Sequence, residues 1–259
     1  MAAAGGRGRA KRRLGQNFLR ARWVARRFAS WACGRRVLVE VGAGTGFLTR
    51  HVLSECRPEL LVAVEIDPDL LPELGLLSWG SLGLAVVHSD ALHPPVDLSR
   101  VEGLYGSIPY NITGPLLGLV AVEYGGPAML LLQREVVDRL SARPGSSAYG
   151  RISVLVQLVY RVKPGPVVPP SAFNPRPRVY SRLVELEPLE ERPPRHLLRR
   201  VEELTRCMFA LRNKKAAKAA RRCGVEPPGW LGERRVYQLE PGEFLQLAAG
   251  GEPGGGVEA

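Results

Sequence analysis

The chain is poor in cysteine and histidine, and neither residue type forms a metal-binding pattern. Its 259 residues include four of each, and no two cysteines have CxxC spacing, so we expect no metal site. We interpret the cysteines as reduced, structural residues of an intracellular protein, with a Cys207–Cys223 disulfide as the alternative. We interpret the histidines as surface or filler residues; they are His51, His88, His93 and His196.

The sequence also lacks a long apolar run. No segment approaches the length of a membrane span, so we expect no membrane partner. Residues 1–13 are rich in arginine, alanine and glycine without an apolar core, so we expect no secretory signal there. They are slightly like a transit peptide, but sequence motifs already begin at Gly15. We therefore predict a basic flexible tail at residues 1–13 and a cytoplasmic protein.

Positive charge is present in excess. Lysine and arginine number 36 against 25 acidic residues, which gives a formal net charge of +11. This excess indicates a polyanionic partner, most simply a nucleic acid, although a generally basic proteome would produce it too. The basic residues are mostly arginine, which suits phosphate contacts and stacking on bases. A GC-rich genome would also favour arginine, and the scarcity of asparagine and glutamine fits either that bias or heat adaptation.

Apolar runs alternate with helix-like segments between residues 14 and 187. This alternation predicts an α/β sheet with helices on both faces, and the runs at 158–162 and 179–186 predict strands at the sheet edge. A proline-rich break at residues 188–194 suggests a domain boundary. We predict four segments, namely a tail at 1–13, a catalytic α/β domain at 14–187, a small helical domain at 188–249 and a flexible glycine-rich tail at 250–259.

Three predicted strands end in residues suited to a nucleoside. The first runs into Gly42–Gly46, and a strand, glycine loop and helix in series form a nucleotide site at the carboxyl edge of a sheet. The second ends in Glu65, which can accept from two ribose hydroxyls, and the third ends near Asp90, which can accept from an adenine amine. The loop reads GxGxG instead of the dinucleotide GxGxxG. These features favour S-adenosylmethionine over NAD, with an ordinary turn as the alternative.

The segment Ser107–Tyr110 follows a further apolar run. Pro109 fixes φ and removes a backbone donor, so neighbouring carbonyls can act as acceptors beside the flat ring of Tyr110. Acceptors next to an aromatic face suit a planar amine such as the exocyclic amino group of a nucleobase. The alternative is that Tyr110 is a core aromatic.

In this order, the motifs resemble the ribosomal RNA adenine dimethyltransferase family across residues 11–249. The matching segments are residues 15–19, 40–49, 64–67, 90–92, 133–136, 149–154, 173–181 and 209–215. The resemblance implies a Rossmann-like methyltransferase sheet with a small C-terminal helical domain. It also implies S-adenosylmethionine-dependent N6-methylation of adenosines in small-subunit ribosomal RNA, within a pre-ribosomal small subunit. We expect a monomer.

The resemblance assigns roles to individual residues. The expected cofactor-binding residues are Gln16, Asn17, Leu19, Gly42, Gly44, Glu65, Ile66, Asp90, Ala91 and Ser107. The expected catalytic residues, which contact the target base, are Ser107, Ile108, Pro109, Tyr110 and Phe173, with Phe173 as a loop anchor in the alternative reading. The expected RNA-binding residues are Arg12, Arg13, Arg176, Arg178, Arg212, Lys214, Lys215 and Arg222, although the basic run 212–222 is also consistent with a solvated helix face.

One departure from the family pattern opens alternatives. The family usually has asparagine where this chain has Ser107, whose hydroxyl is a shorter and less firmly aimed acceptor. The first alternative is therefore a ribosome-assembly factor with weak or lost methylation. The second is an enzyme that methylates large-subunit ribosomal RNA. The sequence leaves open which adenosines are modified and whether each receives one or two methyl groups.

Overall fold

The computed structural model of the chain describes residues 10–79 and 83–250. The remainder of the two predicted tails, residues 1–9 and 251–259, lies outside the described residues. The strands are β1 (Phe18–Leu19), β2 (Val37–Val41), β3 (Leu60–Glu65), β4 (Leu84–His88), β5 (Gly103–Ser107), β6 (Ala128–Gln133), β7 (Tyr160–Val168), β8 (Phe173–Asn174) and β9 (Ser181–Pro188). The α-helices are α1 (Arg22–Ala32), α2 (Phe47–Cys56), α3 (Leu71–Ser78), α4 (Thr113–Leu119), α5 (Arg134–Leu140), α6 (Arg151–Gln157), α7 (Arg195–Phe209), α8 (Ala216–Arg222) and α9 (Pro241–Ala249).

Seven strands form one mixed sheet in the order β4-β3-β2-β5-β6-β9-β7, and β1 pairs separately with β8. The five strands from β4 to β6 are parallel, whereas β9 runs antiparallel to β6. The central strands β2 and β3 are nearly continuous runs of buried apolar residues, as expected when both faces of a parallel sheet are covered. The mixed sheet with its intervening helices confirms the predicted α/β fold class.

Both predicted late strands are present, but β7 is longer than its apolar run. It continues through Pro164, Gly165 and Pro166, beyond the predicted run 158–162. Because β7 lies at the edge of the sheet, a proline there does not remove a hydrogen bond that the sheet needs.

The described chain divides into two compact units. The first comprises the chain up to residue 116 together with 126–134 and 163–186, and the second comprises 117–125, 135–162 and the chain from 187 onward. The second unit is therefore discontinuous in sequence, whereas the sequence-based division placed a single cut near residue 188. The four predicted segment boundaries remain a prediction.

The first unit has a core in which α1 contributes one apolar face. Phe28 and Trp31 are buried, the ring of Phe28 lies 5.9 Å from that of Tyr105, and the indole N–H of Trp31 donates to Glu185 at 3.0 Å. Their apolar spacing along α1 is that of an amphipathic helix. The first unit therefore packs α1 against the sheet through aromatic residues.

Within the second unit, three aromatic rings and one arginine make the main long-range contacts. The ring of Phe209 lies 6.0 Å from Tyr149 and 5.5 Å from Phe244. The Arg192 guanidinium donates to the carbonyls of residues 121, 122 and 124, at 2.9–3.2 Å. These carbonyls belong to the π-helical turn Val120–Tyr124 that continues α4. Arg192 thus donates to the last carbonyl groups of this helix, which have no N–H partner in a following helical turn.

One expectation from the sequence is corrected. The structure contains the disulfides Cys33–Cys56 and Cys207–Cys223, and every described cysteine is paired. The expectation of reduced cysteines is therefore wrong, and the alternative Cys207–Cys223 pair is present. At the end of the predicted tail, Lys11 contacts Asp67 and residues 12–14 form a 3-10 turn; the tail boundary itself stays a prediction.

Candidate active site

A single cavity in the first unit is lined by every residue that the sequence assigned to the cofactor or to the target base. These residues come from β1 and the chain before it, from the carboxyl ends of β2, β3, β4 and β5, and from β8. Parallel strands place their carboxyl ends at one edge of the sheet, where α/β folds bind ligands. Residues that are far apart in sequence are therefore brought together by the strand order.

The glycine loop after β2 forms one wall of this cavity. Gly42 and Gly44 have φ values of 68° and 59°, a left-handed conformation that strains other residues. The Gly44 N–H donates to Glu65 Oε2 at 2.7 Å, and the Asp67 N–H donates to Glu65 Oε1 at 2.8 Å. Burial raises the pKa of Glu65, and these backbone donors partly offset that rise. The loop and Glu65 thus present glycine backbone and a fixed carboxylate to a ligand, which suits the nucleoside of S-adenosylmethionine.

Glu40 is a functional candidate that the sequence analysis did not single out. It lines the cavity and accepts from Thr49 Oγ1 at 2.7 Å and from the Tyr105 hydroxyl at 2.9 Å. Burial raises the pKa of Glu40 to about 7, against the lowering effect of both hydroxyl donors. The sequence did contain a signal for Glu40, because it is a single glutamate within the apolar strand β2. Burial of a carboxyl group without hydrogen-bond partners costs free energy.

A second group missed in the sequence joins the N-terminal segment to the loop after β3. This Asp67 cluster consists of Lys11, Gln16, Asp67 and Asp69. Lys11 Nζ donates to Asp67 at 2.5 Å and lies 2.6 Å from Asp69, and Gln16 Nε2 donates to Asp67 at 2.8 Å. Burial opposes ionisation of Asp67, but the donors Lys11 and Gln16 outweigh it, so the pKa of Asp67 lies below its ordinary value. The cluster fixes Gln16, a residue of the cavity wall.

The remaining residues that are predicted to bind the cofactor also line the cavity. Asp90 accepts from the Leu92 N–H at 2.9 Å, so one of its oxygens closes its own turn and the carboxylate stays partly exposed. Ile66 and Ala91 follow the adjacent strand ends and also line the cavity, as does Asn17. These side chains surround the region in which the sequence analysis placed the nucleoside.

The opposite wall contains the segment after β5. The Ile108 N–H donates to the Leu131 carbonyl at 3.1 Å, and Thr113 Oγ1 donates to the Pro109 carbonyl at 3.2 Å. Among the described residues, the Ser107 hydroxyl and the Ile108 carbonyl have no hydrogen-bond partner. Two acceptors at the cavity are thus available to a ligand, while the Pro109 carbonyl is already occupied by the start of α4.

Two aromatic residues contribute to this wall. Tyr110 is half-buried, and its hydroxyl lies 2.9 Å from Ser181 Oγ; burial raises the pKa of this phenol. Phe173 is buried and pairs with Leu19 between β8 and β1. Phe173 therefore combines a structural role in the β1–β8 pair with a place in the cavity wall. The geometry of this wall can hold a flat ring beside two acceptors.

Comparison with known proteins decides the family. The model of the ribosomal RNA adenine dimethylase family matches residues 7–227. This chain belongs to the ribosomal RNA adenine dimethylase family. Membership confirms the predicted resemblance, the enzyme class and the cofactor, S-adenosylmethionine.

Individual relatives agree with this family assignment. The ribosomal RNA small subunit methyltransferase A of Rubrobacter xylanophilus is 36% identical over 256 residues, which cover 92% of this chain and 94% of that protein. The protein of the same name from Parasynechococcus marenigrum is 34% identical, with 93% and 87% covered. A dimethyladenosine transferase from Plasmodium falciparum has the same fold, with a TM-score of 0.73, 23% identity, and 89% and 95% covered. The 23S rRNA methyltransferase ErmE gives a TM-score of 0.60 at 27% identity, with 90% and 98% covered.

The predicted RNA-binding residues of this chain differ in exposure and in their partners. The exposed ones are Arg13, Arg176, Arg178, Lys214, Lys215 and Arg222. The side chain of Arg12 lies outside the described residues. Arg212 donates to the carbonyls of Ser146 and Ser147 and lies 5.4 Å from the ring centre of Tyr237, and Lys215 forms an ion pair with Glu233. Arg212 and Lys215 therefore have structural partners that a phosphate would have to displace or share.

No group of three or more metal-binding side chains occurs within residues 10–79 and 83–250. In the same part of the chain, every helix is too short or too polar to cross a membrane.

Proposed function

We propose that this chain transfers methyl groups from S-adenosylmethionine to N6 of adenosines in small-subunit ribosomal RNA, two per adenosine, during assembly of the small subunit. The observation that supports this most is the single cavity in which the Gly42–Gly46 loop and Glu65 face the Ser107–Tyr110 segment. Both family-level similarity and this arrangement lead to the same activity. The names of the curated relatives refer to the small subunit, and they do not favour a large-subunit substrate.

The cofactor would be held by the wall that contains the glycine loop. Glu65 would accept from the ribose hydroxyls, Asp90 from the adenine amine, and Gln16 would close the N-terminal side. Bound S-adenosylmethionine supplies an electrophilic methyl group carried on a sulfonium. The protein's part is to position the acceptor nitrogen in line with that methyl group, which lowers the entropic part of the barrier.

The target adenine would be held by the opposite wall. N6 is a weak nucleophile because its lone pair is delocalised into the ring. The Ile108 carbonyl and the Ser107 hydroxyl would accept the two N6 hydrogens and turn the lone pair out of the ring plane. Tyr110 and Phe173 would hold the ring by stacking, at about 1–3 kcal/mol per base. The base must first leave its own stack, which costs a few kcal/mol in a duplex and less in a loop. The proton leaves a cationic product, so the chain needs no strong base.

Two further properties belong to the proposal. We place the protein in the cytoplasm, where small-subunit assembly intermediates would be its partner, and we expect it to act as a monomer.

The alternative in which Ser107 abolishes activity and leaves an assembly factor would require a chain that binds immature subunits without modifying them. The two free acceptors at Ser107 and Ile108 support the enzyme instead.

The test is nucleoside mass spectrometry of undermethylated small subunits incubated with the chain and S-adenosylmethionine. Large subunits under the same conditions are the control substrate. We expect N6-methyladenosine to appear first and N6,N6-dimethyladenosine to follow, in the small subunit alone. Stable binding to small subunits without either product would support the assembly-factor alternative and contradict the enzyme. Product in large subunits alone would show that the substrate is large-subunit ribosomal RNA.

A further inference from the structure

A second concave site lies on the first unit, between α1 and α2. We call it the α1–α2 pocket; its lining residues are Arg22, Arg26, Phe47, Arg50, His51 and Glu55. Neither the sequence motifs nor the family similarity assigns it a role. Four of its six side chains are arginine or histidine, a composition that favours an anion.

The charges of the pocket are only partly neutralised by the protein. Arg50 donates to the Thr45 carbonyl at 2.8 Å and pairs with Glu73 at 3.1 Å. Arg22 and Arg26 are exposed and form no ion pair with any described residue, and α1 has no acidic residue in its first turn. Two like charges one helical turn apart repel each other. This arrangement therefore does not stabilise the helix, and it leaves two guanidinium groups available to a ligand.

The pocket shares a wall with the active-site cavity. Phe47, the first residue of α2, lines both. The ring of His51 lies 4.9 Å from that of Phe47, and His51 Nδ1 lies 2.8 Å from the Phe47 carbonyl. Because a carbonyl only accepts, Nδ1 donates, and the imidazole is held against the shared wall. An anion in the pocket is thus next to whatever occupies the cavity.

We propose that the α1–α2 pocket binds a phosphodiester group of the RNA strand whose adenosine occupies the cavity. This inference rests on the proposed function and adds a substrate subsite to it. The planar guanidinium of arginine pairs with phosphate oxygens through two parallel hydrogen bonds, and Arg22 and Arg26 project from one helix face at a spacing of four residues. The pocket would thereby hold the strand beside the cavity wall to which Phe47 contributes.

The chain offers a matched control on the same segment. Arg20 and Arg27 are also exposed, and they lie outside the pocket. The test compares Arg22→Ala/Arg26→Ala with Arg20→Ala/Arg27→Ala, which remove equal charge. Binding to a fluorescent single-stranded RNA that contains the target adenosine is measured by anisotropy over a range of salt concentrations. Calorimetry with S-adenosylmethionine verifies that both variants keep a folded cofactor site.

We expect the pocket variant to bind the RNA about tenfold more weakly, as for the loss of a charged hydrogen-bonded contact. The slope of log K against log salt should fall by about 0.7, the value for one phosphate on a single strand. The control variant should lose less than about threefold, since exposed charges act mainly at long range. Equal losses of RNA affinity for both variants would show that the pocket is not a phosphate site. The arginines would then attract the RNA only through their general positive charge. If wild type itself neither binds nor methylates the RNA or small subunits, the subsite and the proposed function both fail.

Neutral methylphosphonate linkages then locate the phosphate. Placed singly on either side of the target adenosine, one of them should weaken wild type about tenfold and leave the Arg22→Ala/Arg26→Ala variant unchanged. If every single linkage weakens the pocket variant as much as wild type, no phosphate contacts the pocket and the inference is wrong.

Discussion

On the cofactor side of the cavity each of three buried carboxylates has at least two donors, whereas on the target side the two key acceptors have none among the described residues. Glu40, Glu65 and Asp67 are each 5% exposed or less, and all accept hydrogen bonds from the protein. Ser107 and Ile108 instead keep their acceptors for a ligand. One side is therefore preorganised by its own hydrogen bonds, and the other is completed by the substrate.

This difference predicts which measurement each side controls. Changes on the cofactor side should appear mainly in the affinity for S-adenosylmethionine, because they disrupt a network that exists before binding. Changes on the target side should appear mainly in turnover, since the groups there act on the base during transfer. Four substitutions distinguish the two sides, from the largest expected effect to the smallest.

The largest effect is expected for Glu65→Ala. The change removes the acceptor for the ribose hydroxyls and leaves the N–H groups of Gly44 and Asp67 without their partner. With roughly 1.5–3 kcal/mol for each charge-assisted hydrogen bond, calorimetry should show a Kd for S-adenosylmethionine at least tenfold higher. Glu65→Gln keeps one acceptor and should lose less. An unchanged Kd for the alanine variant would remove Glu65 from the cofactor site.

Tyr110→Ala should have the next largest effect, on turnover. The loss of the stacking surface, about 1–3 kcal/mol, should lower kcat by about tenfold or more, with the Kd for S-adenosylmethionine unchanged. Tyr110→Phe keeps the ring and loses only the contact with Ser181, so it should retain most of the activity. The separation of the two sides fails if Tyr110→Ala weakens cofactor binding as much as it lowers turnover.

Lys11→Met tests whether the N-terminal segment belongs to the cofactor side. The change removes the main cation of the Asp67 cluster and should loosen Gln16, so the Kd for S-adenosylmethionine should rise about threefold, a modest loss because Lys11 is partly exposed. Limited proteolysis should also cut the segment before β1 faster. Arg13→Met, which alters an exposed residue of the same segment, is the control. Equal behaviour of the two variants would mean that the cluster does not position Gln16.

Ser107→Ala should have the smallest effect. The Ile108 carbonyl belongs to the main chain and persists in the variant, and a hydrogen bond to a neutral partner contributes only about 0.5–1.5 kcal/mol. The first methylation should slow about threefold, and the second should change less, because the monomethylated amine has only one hydrogen left to donate. A time course of both products on undermethylated small subunits measures this. A loss of about tenfold or more would make Ser107 as important as Tyr110.

Most residues that line the cavity could be identified in the sequence, because they belong to short local patterns such as strand ends. The acids Glu65 and Asp90 end apolar runs, and the position of a strand end fixes where its last side chain lies. The Asp67 cluster was not predictable in this way, because Lys11 and Asp67 are 56 positions apart and the basic N-terminal composition suggests a tail. Glu40 was visible as a polar residue in an apolar strand, but its partners come from other elements.

The cysteines and the second unit show the same limit. Spacing along the chain gives no sign of the Cys33–Cys56 pair, which joins the ends of α1 and α2, and pairing depends on how those helices pack. The proline-rich break near residue 188 is a true change in local sequence. The structure nevertheless assigns residues 117–125 and 135–162 to the same unit as the chain beyond it, because long-range packing does not follow composition.

The contact of Arg192 with the end of α4 has a consequence for dissecting the protein. Arg192 lies within the proline-rich break and Arg199 lies beyond it, yet they contact the π-helical turn Val120–Tyr124 through its carbonyls and through Glu123. A fragment that stops at residue 187 would lose these donors and the partners of several buried apolar residues. We therefore expect that neither half folds autonomously when it is produced alone. Co-expression of the two halves should restore the folded structure.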